Sequence, residues 1–333
     1  MTASPQDRAP LLDVRGLSKS FQISGSLFGA VAEVQALSGV SFSLERGETL
    51  SVVGESGSGK STLGRVILRL IEPSEGQVVF EGHDLGRLRG EALRQKRRQM
   101  QIIFQDPIAS LDPRMPVGEI IAEPLTIFAR SLSKAERRRS VLAMMETVGL
   151  APDMINRYPH EFSGGQAQRI GIARALVSRP DLLICDEPVS ALDLSIQAQI
   201  INLLIELKRN FGLTMIFISH DLSVVRHISD RVMVLYLGRV MEIGGKRTLF
   251  GAPMHPYTRA LLSAAPVPDP KAARARKRMP LEGDMPSPLN PPSGCVFRTR
   301  CPFAKERCAA EVPALRLMPS GQHAACHFAE EIA

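Results

Sequence analysis

The sequence predicts an α/β protein with a largely parallel central sheet. Three observations carry that class. Short apolar runs alternate with stretches of helical period through most of the chain. A glycine-rich turn at 54–61 joins one such run directly to one such helix. From about residue 263 the pattern stops, and Pro, basic and small residues take over, which marks a separate, irregular C-terminal segment.

The elements follow in order. "ETLSVVG" (48–54) reads as a strand ending in glycine, and "KSTLGRVILRLI" (60–71) has helical spacing. "QVVFEG" (77–82) and "MQIIFQD" (100–106) read as strands. "SKAERRRSVLAMMETVGL" (133–150) reads as a helix capped by Ser133 and stopped near Gly149. "GGQAQRIGIARALVS" (164–178) is a further helix, and "DLLICDEP" (181–188) is a buried strand ended by proline. "SIQAQIINLLIELKRNFG" (195–212) is helical and closes on Gly212. "LTMIFISHD" (213–221) and "DRVMVLYLGRVMEIG" (230–244) are rich in strand signals. No internal repeat is visible.

The 333 residues suffice for one large domain and an appendage. No run of 18 apolar residues is present, so no membrane span is expected. "MTASPQDRAP" lacks the apolar core of a signal peptide, which predicts a cytosolic protein with reduced thiols. The net charge of +7 suits a polyanion or an anionic membrane face, and is in the main a solvated basic surface. With no Trp and three Tyr, a base-stacking surface is poorly supplied, and no nucleic acid partner is expected.

"GESGSGKS" (54–61) fits G-x-x-x-x-G-K-[ST] between a predicted strand and a predicted helix, the context that gives this motif its meaning. Gly54, Glu55, Ser56, Gly57, Ser58 and Gly59 would wrap backbone N–H groups around phosphate oxygens, and the helix beginning at Lys60, Ser61 and Thr62 adds a positive dipole. Lys60 would reach the β- and γ-phosphates, and Ser61 would ligate Mg²⁺. Asp186, at the edge of the strand "LLICDEP", would hold the same ion, and Glu187 beside it is the candidate general base.

Many nucleotide hydrolases share those two motifs; a third is more particular. "HEFSGGQAQRIGIARAL" (160–176) resembles the signature of the ABC-type ATPases, with Ser163, Gly164, Gly165 and Gln166 at its heart. Physically it is a Ser-Gly-Gly turn opening a helix, a second anion site that one nucleotide in one chain does not need. The resemblance implies that two ATPase domains pack head to tail and sandwich two ATP molecules. It also implies roles for Gln105 of "IIFQDP" near Mg²⁺ and the attacking water, for Asp193 of "SALD" reaching across the dimer, and for His220 of "IFISHDL" at the γ-phosphate. Phe21 sits where the family has an aromatic that stacks on adenine. The likeness spans roughly residues 11–250. Phe162 replaces the usual Leu of the signature, and Ala167 replaces a common basic residue, expected to weaken its phosphate end slightly. The implied fold is a P-loop NTPase cassette with a mixed central sheet, over residues 1–262, and a helical subdomain near 106–178.

"HPYTRALLSAAPVPDP" (255–270) resembles the extension of ATPases that serve oligopeptide and dipeptide importers, and "GSLFGAVAEVQALSGVSFSL" (25–44) looks like the second ATPase of those systems. That implies a partner ATPase, identical or different, two separate membrane permeases, a peptide-binding protein on the outer side, and a place on the cytoplasmic face of the inner membrane. The segment "DPIASLDPRMPVGEIIAEPL" (106–125) would receive a permease helix. Import of nickel or opines, and a soluble ABC ATPase acting on nucleic acid or ribosomes, are the alternatives.

Four of the five cysteines, Cys295, Cys301, Cys308 and Cys326, fall in the extension 263–333 with spacing C-x5-C-x6-C-x17-C. Disulfides are disfavoured in the cytosol, so a metal site is the leading reading. The resemblance favours a [4Fe–4S] cluster over Zn²⁺, for which His323 and His327 are further donors. Its expected role is structural, so Cys301→Ser should loosen the tail and leave the nucleotide site intact. The basic residues between 271 and 278 read as a solvated linker, and Cys185 as a small buried hydrophobe.

Overall fold

The computed structural model describes residues 9–23, 32–265, 279, 281 and 283–332; the basic linker 271–278 and part of the stretch 25–44 lie outside them. The chain forms two compact units, one of residues 1–44, 49–83 and 219–333, the other of 45–48 and 84–218.

In the first unit β1 (Leu12–Ile23) pairs antiparallel with β2 (Ala32–Leu44). After β3 (Thr49–Val53) and α1 (Lys60–Ile67), β4 (Glu75–Phe80) pairs with the other edge of β1, and β5 (His83–Asp84) completes the order β2-β1-β4-β5. Leu12, Val14, Leu17, Leu37, Val40, Leu44 and Phe80 are buried. Sequence period alone misses β1, because its register shifts between Val14 and Leu17, where Gly16 takes φ 57°. A bulge of this kind breaks the two-residue alternation that marks a strand.

The second unit carries α2 (Gly90–Gln99), β6 (Met100–Ile103), α3 (Val117–Phe128), α4 (Lys134–Thr147), α5 (Gly164–Leu176), β7 (Leu182–Asp186), α6 (Leu194–Phe211) and β8 (Thr214–Ile218). β6, β7 and β8 are parallel neighbours, and β7 and β8 are buried along their whole length. Such strands need apolar residues on both faces, which "LLICD" and "TMIFI" supply. Ser133 and Glu136 close a capping box on α4, and Gly212 ends α6 at φ 65°, both as the sequence predicts.

The chain then returns to the first unit through α7 (Leu222–Ile228), β9 (Arg231–Tyr236), β10 (Arg239–Gly245), α8 (Lys246–Gly251) and α9 (Pro256–Ala264). β9 is parallel to β3 and antiparallel to β10, so this sheet is mixed. The tail adds α10 (Glu306–Ala310), β11 (Arg316–Leu317), β12 (His323–Ala324) and α11 (Ala329–Ile332). β12 pairs with β10, giving the order β11-β12-β10-β9-β3. Cys295, Val296, Phe297 and Cys308 of the tail share one apolar core with Val234, Tyr236, Met241 and Tyr257. Beneath β10, fully buried Glu242 accepts hydrogen bonds from the backbone of Met254 and His255, both 2.9 Å, and from the Gln322 side chain, 2.8 Å.

Candidate nucleotide site

In the first unit, β3 delivers the chain into the loop 54–59, and α1 leads out of it. The loop needs its glycines. Gly54 has φ 155°, and a Cβ there would stand 2.1 Å from the Leu235 carbonyl oxygen; Gly59 has φ 102°, with a Cβ 2.4 Å from the Ala36 oxygen. The β9–β10 turn braces the loop from beneath, since the Gly238 N–H donates to the Ser58 carbonyl at 2.9 Å. Lys60 is 5% exposed, and its Nζ donates to the carbonyls of Gly54 (2.8 Å) and Glu55 (2.9 Å). Ser56 and Gly57 face solvent, Ser61 and Thr62 are half-buried, and the buried Ser58 hydroxyl has no hydrogen-bond partner among the described residues. These features fit a phosphate group: curled backbone amides, a lysine at the helix start, and a hydroxyl still to be satisfied.

Two residues that sequence reasoning missed close on this loop, Tyr257 of α9 and Arg300 of the C-terminal extension. The Tyr257 hydroxyl accepts the Glu55 N–H at 3.0 Å. Arg300 Nη1 donates to both carboxylate oxygens of Glu55, at 2.9 and 3.0 Å, with side-chain exposures of 6% for Arg300 and 28% for Glu55. "HPYT" held part of the signal. His255 caps α9 by accepting the Tyr257 N–H at 3.0 Å, and burial pulls its imidazole down to about 3, so it stays neutral. Burial likewise pushes the Tyr257 hydroxyl up, so it remains protonated.

Elsewhere in this unit, His220 is exposed in the turn between Ser219 and Asp221, and the Asp221 side chain caps α7. Phe21 lies on β1, 36% exposed, with the Lys19 ammonium 5.0 Å from its ring centre. An exposed ring is free to present a face, which a core Phe is not.

In the second unit, Asp186 ends β7 at 2% exposure, and Glu187 follows with φ 47°. A left-handed glutamate is costly backbone, of the kind found where a side chain must be aimed. The Gln105 amide nitrogen, just past β6, donates to Glu187 Oε2 at 3.2 Å, so the structure brings these two candidates together. Ser163 caps α5 in a reciprocal box: its hydroxyl accepts the Gln166 N–H at 3.4 Å, and Gln166 Oε1 accepts the Ser163 N–H at 3.0 Å. A Cβ on Gly165 would stand 2.6 Å from Ile196, so α5 and α6 pack closely there. Asp193 is exposed at the N-cap of α6. Ala167 is fully buried within α5, which corrects the expectation that its substitution weakens an anion-facing end.

The four tail thiols meet around one cavity of about 20 Å³, lined also by His255, His327 and Phe297. Exposed His323, on β12, does not line it. Burial, reinforced by the neighbouring thiols, pushes Cys295 up to about 11 and Cys301 up to about 12, and raises Cys326. Among the described residues, no group of three or more His, Cys, Asp or Glu side chains stands in a metal-holding arrangement. As they stand, the four thiols are therefore not placed to hold a metal. Cys185 is fully buried in β7, where burial raises its thiol, as expected of a small hydrophobe.

Residues 37–190 match the ABC transporter family, and residues 241–308 match the oligopeptide/dipeptide transporter C-terminal region. A putative peptide import ATP-binding protein of Brucella ovis is 57% identical over 317 residues, 95% of this chain and 97% of that protein. The chain belongs to the ABC transporter ATP-binding subunits of the oligopeptide/dipeptide family. The oligopeptide transport ATP-binding protein OppF of Haemophilus influenzae is 55% identical to this ABC subunit over 329 residues, 98% of this chain and 99% of the relative. Among solved structures, the dimeric ATP-binding cassette MJ0796 bound to ADP and Pi aligns at TM-score 0.64 with 31% identity, covering 71% of this chain and 99% of that one. The cassette cbiO1 from Clostridium perfringens aligns at TM-score 0.62 with 29% identity, covering 73% and 91%. As a member of this family the subunit is an ATPase that uses ATP with Mg²⁺. No helix among its described residues is long and apolar enough to cross a membrane.

Proposed function

We propose that this subunit hydrolyses ATP to power the import of di- and oligopeptides through two separate permeases, fed by a binding protein outside the membrane. The observation that carries this reading is the seating of the peptide-transporter region, whose Tyr257 and Arg300 are built onto the phosphate loop. The names of the relatives support the substrate class. In this reading the cassette comprises residues 1–262, with its helical subdomain near 106–178, and the extension 263–333.

The residue roles are these. Gly54, Ser56, Gly57, Ser58, Gly59, Lys60, Ser61 and Thr62 bind the ATP phosphates, Glu55 is held back from them by Tyr257 and Arg300, and Phe21 receives the adenine. Ser61, Gln105 and Asp186 hold Mg²⁺. Glu187 takes the proton of the attacking water, and His220 meets the γ-phosphate. Ser163, Gly164, Gly165, Gln166 and Asp193 act on the nucleotide of a second ATPase subunit, the capped N-terminus of α5 supplying the donor end of a helix dipole. In this reading the permeases dock on the segment 106–125, a reading that the 54% exposure of Ile108 supports, and the subunit sits peripherally on the cytoplasmic face of the inner membrane.

The four-thiol cavity takes up a metal, a [4Fe–4S] cluster ahead of Zn²⁺, with Cys295, Cys301, Cys308 and Cys326 as ligands. What supports this is the convergence of four thiols on one cavity; they must draw inward to ligate.

Reconstitution in vesicles with permeases, binding protein and partner ATPase tests the transport reading. Peptide uptake is expected only with ATP inside and is lost in Glu187→Gln. ATPase activity that ignores the permeases and responds to ribosomes instead would overturn it.

A further inference from the structure

We infer that Arg300 is a positioning residue for ATP binding. By clamping the Glu55 carboxylate onto the C-terminal extension, it keeps that negative charge off the phosphates and makes the affinity of the loop depend on the state of the tail. This inference rests on the assignment of residues 54–62 as the loop that holds the ATP phosphates.

Glu55 is held on three sides. Tyr257 takes its N–H, Lys60 takes its carbonyl, and Arg300 takes both carboxylate oxygens. The Arg300 side chain is nearly buried and touches Tyr236 as well, with its guanidinium 6.0 Å from that ring and a nitrogen 3.5 Å from the hydroxyl. A planar guanidinium buried against a carboxylate is a fixed contact, unlike a surface ion pair.

The other end of the clamp lies in the thiol cavity. Arg300 closes the short turn 298–300, which begins beside Phe297 and runs directly into Cys301. Phe297 packs edge-on against Tyr236 at 5.4 Å and tilted against Tyr257 at 5.3 Å. The Cys295 N–H donates to the Cys308 carbonyl at 2.8 Å, which ties the turn to α10. Any change in how Cys295, Cys301 and Cys308 sit therefore moves the turn that carries Arg300. In the sequence the tail and the nucleotide site are far apart; here one ion pair links them.

Without Arg300 the Glu55 carboxylate is released beside a bound polyphosphate, and like charges in a partly buried site repel. Coupling between sites is reciprocal, so ATP must also steady the tail.

The experiment measures ATP affinity, and KM and kcat for hydrolysis, in the full chain. Lys60→Ala comes first: loss of ATP binding there upholds the loop assignment, and retained binding refutes that assignment rather than the role of Arg300. Arg300→Gln is then expected to raise the KM for ATP about tenfold with kcat within twofold, the loss shrinking at high salt. Arg300→Gln combined with Glu55→Gln is expected to return KM to within threefold of the unaltered protein, since the offending charge is gone. An unchanged KM in Arg300→Gln, or no rescue in the double variant, overturns the proposal. A measurement without variants guards against misfolding: hydrogen exchange of residues 295–308 in the unaltered protein is expected to slow several-fold on adding a non-hydrolysable ATP analogue. Exchange that does not respond overturns the coupling.

Discussion

The amide of Gln105 donates to Glu187 at 3.2 Å, across 82 residues of sequence. The contact holds Glu187 by its side chain, while the left-handed backbone at φ 47° aims it. Glu187→Gln is therefore expected to cut the hydrolysis rate by at least about 100-fold while leaving ATP binding intact, because general-base catalysis contributes on that scale. Gln105→Ala is expected to cost about tenfold. Single-turnover hydrolysis alongside equilibrium ATP binding separates the two effects; a Glu187→Gln protein that hydrolyses normally would remove Glu187 from the chemistry.

Gly59 offers a test of the loop itself. Its φ of 102° and the Ala36 oxygen 2.4 Å from a would-be Cβ leave no room for alanine. Gly59→Ala is expected to destabilise the protein by about 1–3 kcal/mol and to abolish ATP binding. Denaturant unfolding and nucleotide titration check the two halves.

Glu242 gives the pH prediction. Burial raises its pKa, against the backbone donors of Met254 and His255. A carboxyl raised in the folded state lends stability that is complete below the unfolded value of 4.5 and is lost as pH rises. Glu242→Gln removes that titration. Its stability relative to the unaltered protein is thus expected to improve as pH climbs above 4.5, by at most about 1.4 kcal/mol per pH unit. Urea unfolding at several pH values reads this directly, and a difference that is flat with pH refutes it.

The metal proposed for the tail thiols carries a measurable signature. Anaerobically purified protein is expected to carry iron and sulfide near four of each per chain, the content of a [4Fe–4S] cluster. Cys301→Ser and Cys326→Ser are each expected to lower that content by more than half and to reduce the thermal midpoint. A colourless protein with one zinc would replace the cluster with zinc, and a metal-free, stable tail would remove both.

Much of the site was legible in the chain, and the reason is locality. The loop 54–61, the Ser163–Gln166 cap and the strand leading to Asp186 are each written in a few consecutive residues whose spacing has one physical use. The contacts to Glu55 were not legible, because Arg300 lies 245 residues away and nothing in "FRTRC" names its partner. β1 escaped because its bulge hides the alternation, and Ala167 was misjudged because spacing along a helix start does not say which face is buried. "HPYT" carries a family resemblance in the sequence, but its tyrosine acquires a contact only once β9 and the phosphate loop are folded beside it.

The strand pairing of Glu242 with Ala324 bears on how this protein can be handled. Shortening the chain to a minimal cassette would strip Gln322 from a fully buried carboxylate, uncover the edge of β10, and take Phe297 out from between two tyrosines. Stop codons after residue 262 are then a route to insoluble material. Fusion tags and labels intended to leave the motor running belong away from residues 295–332.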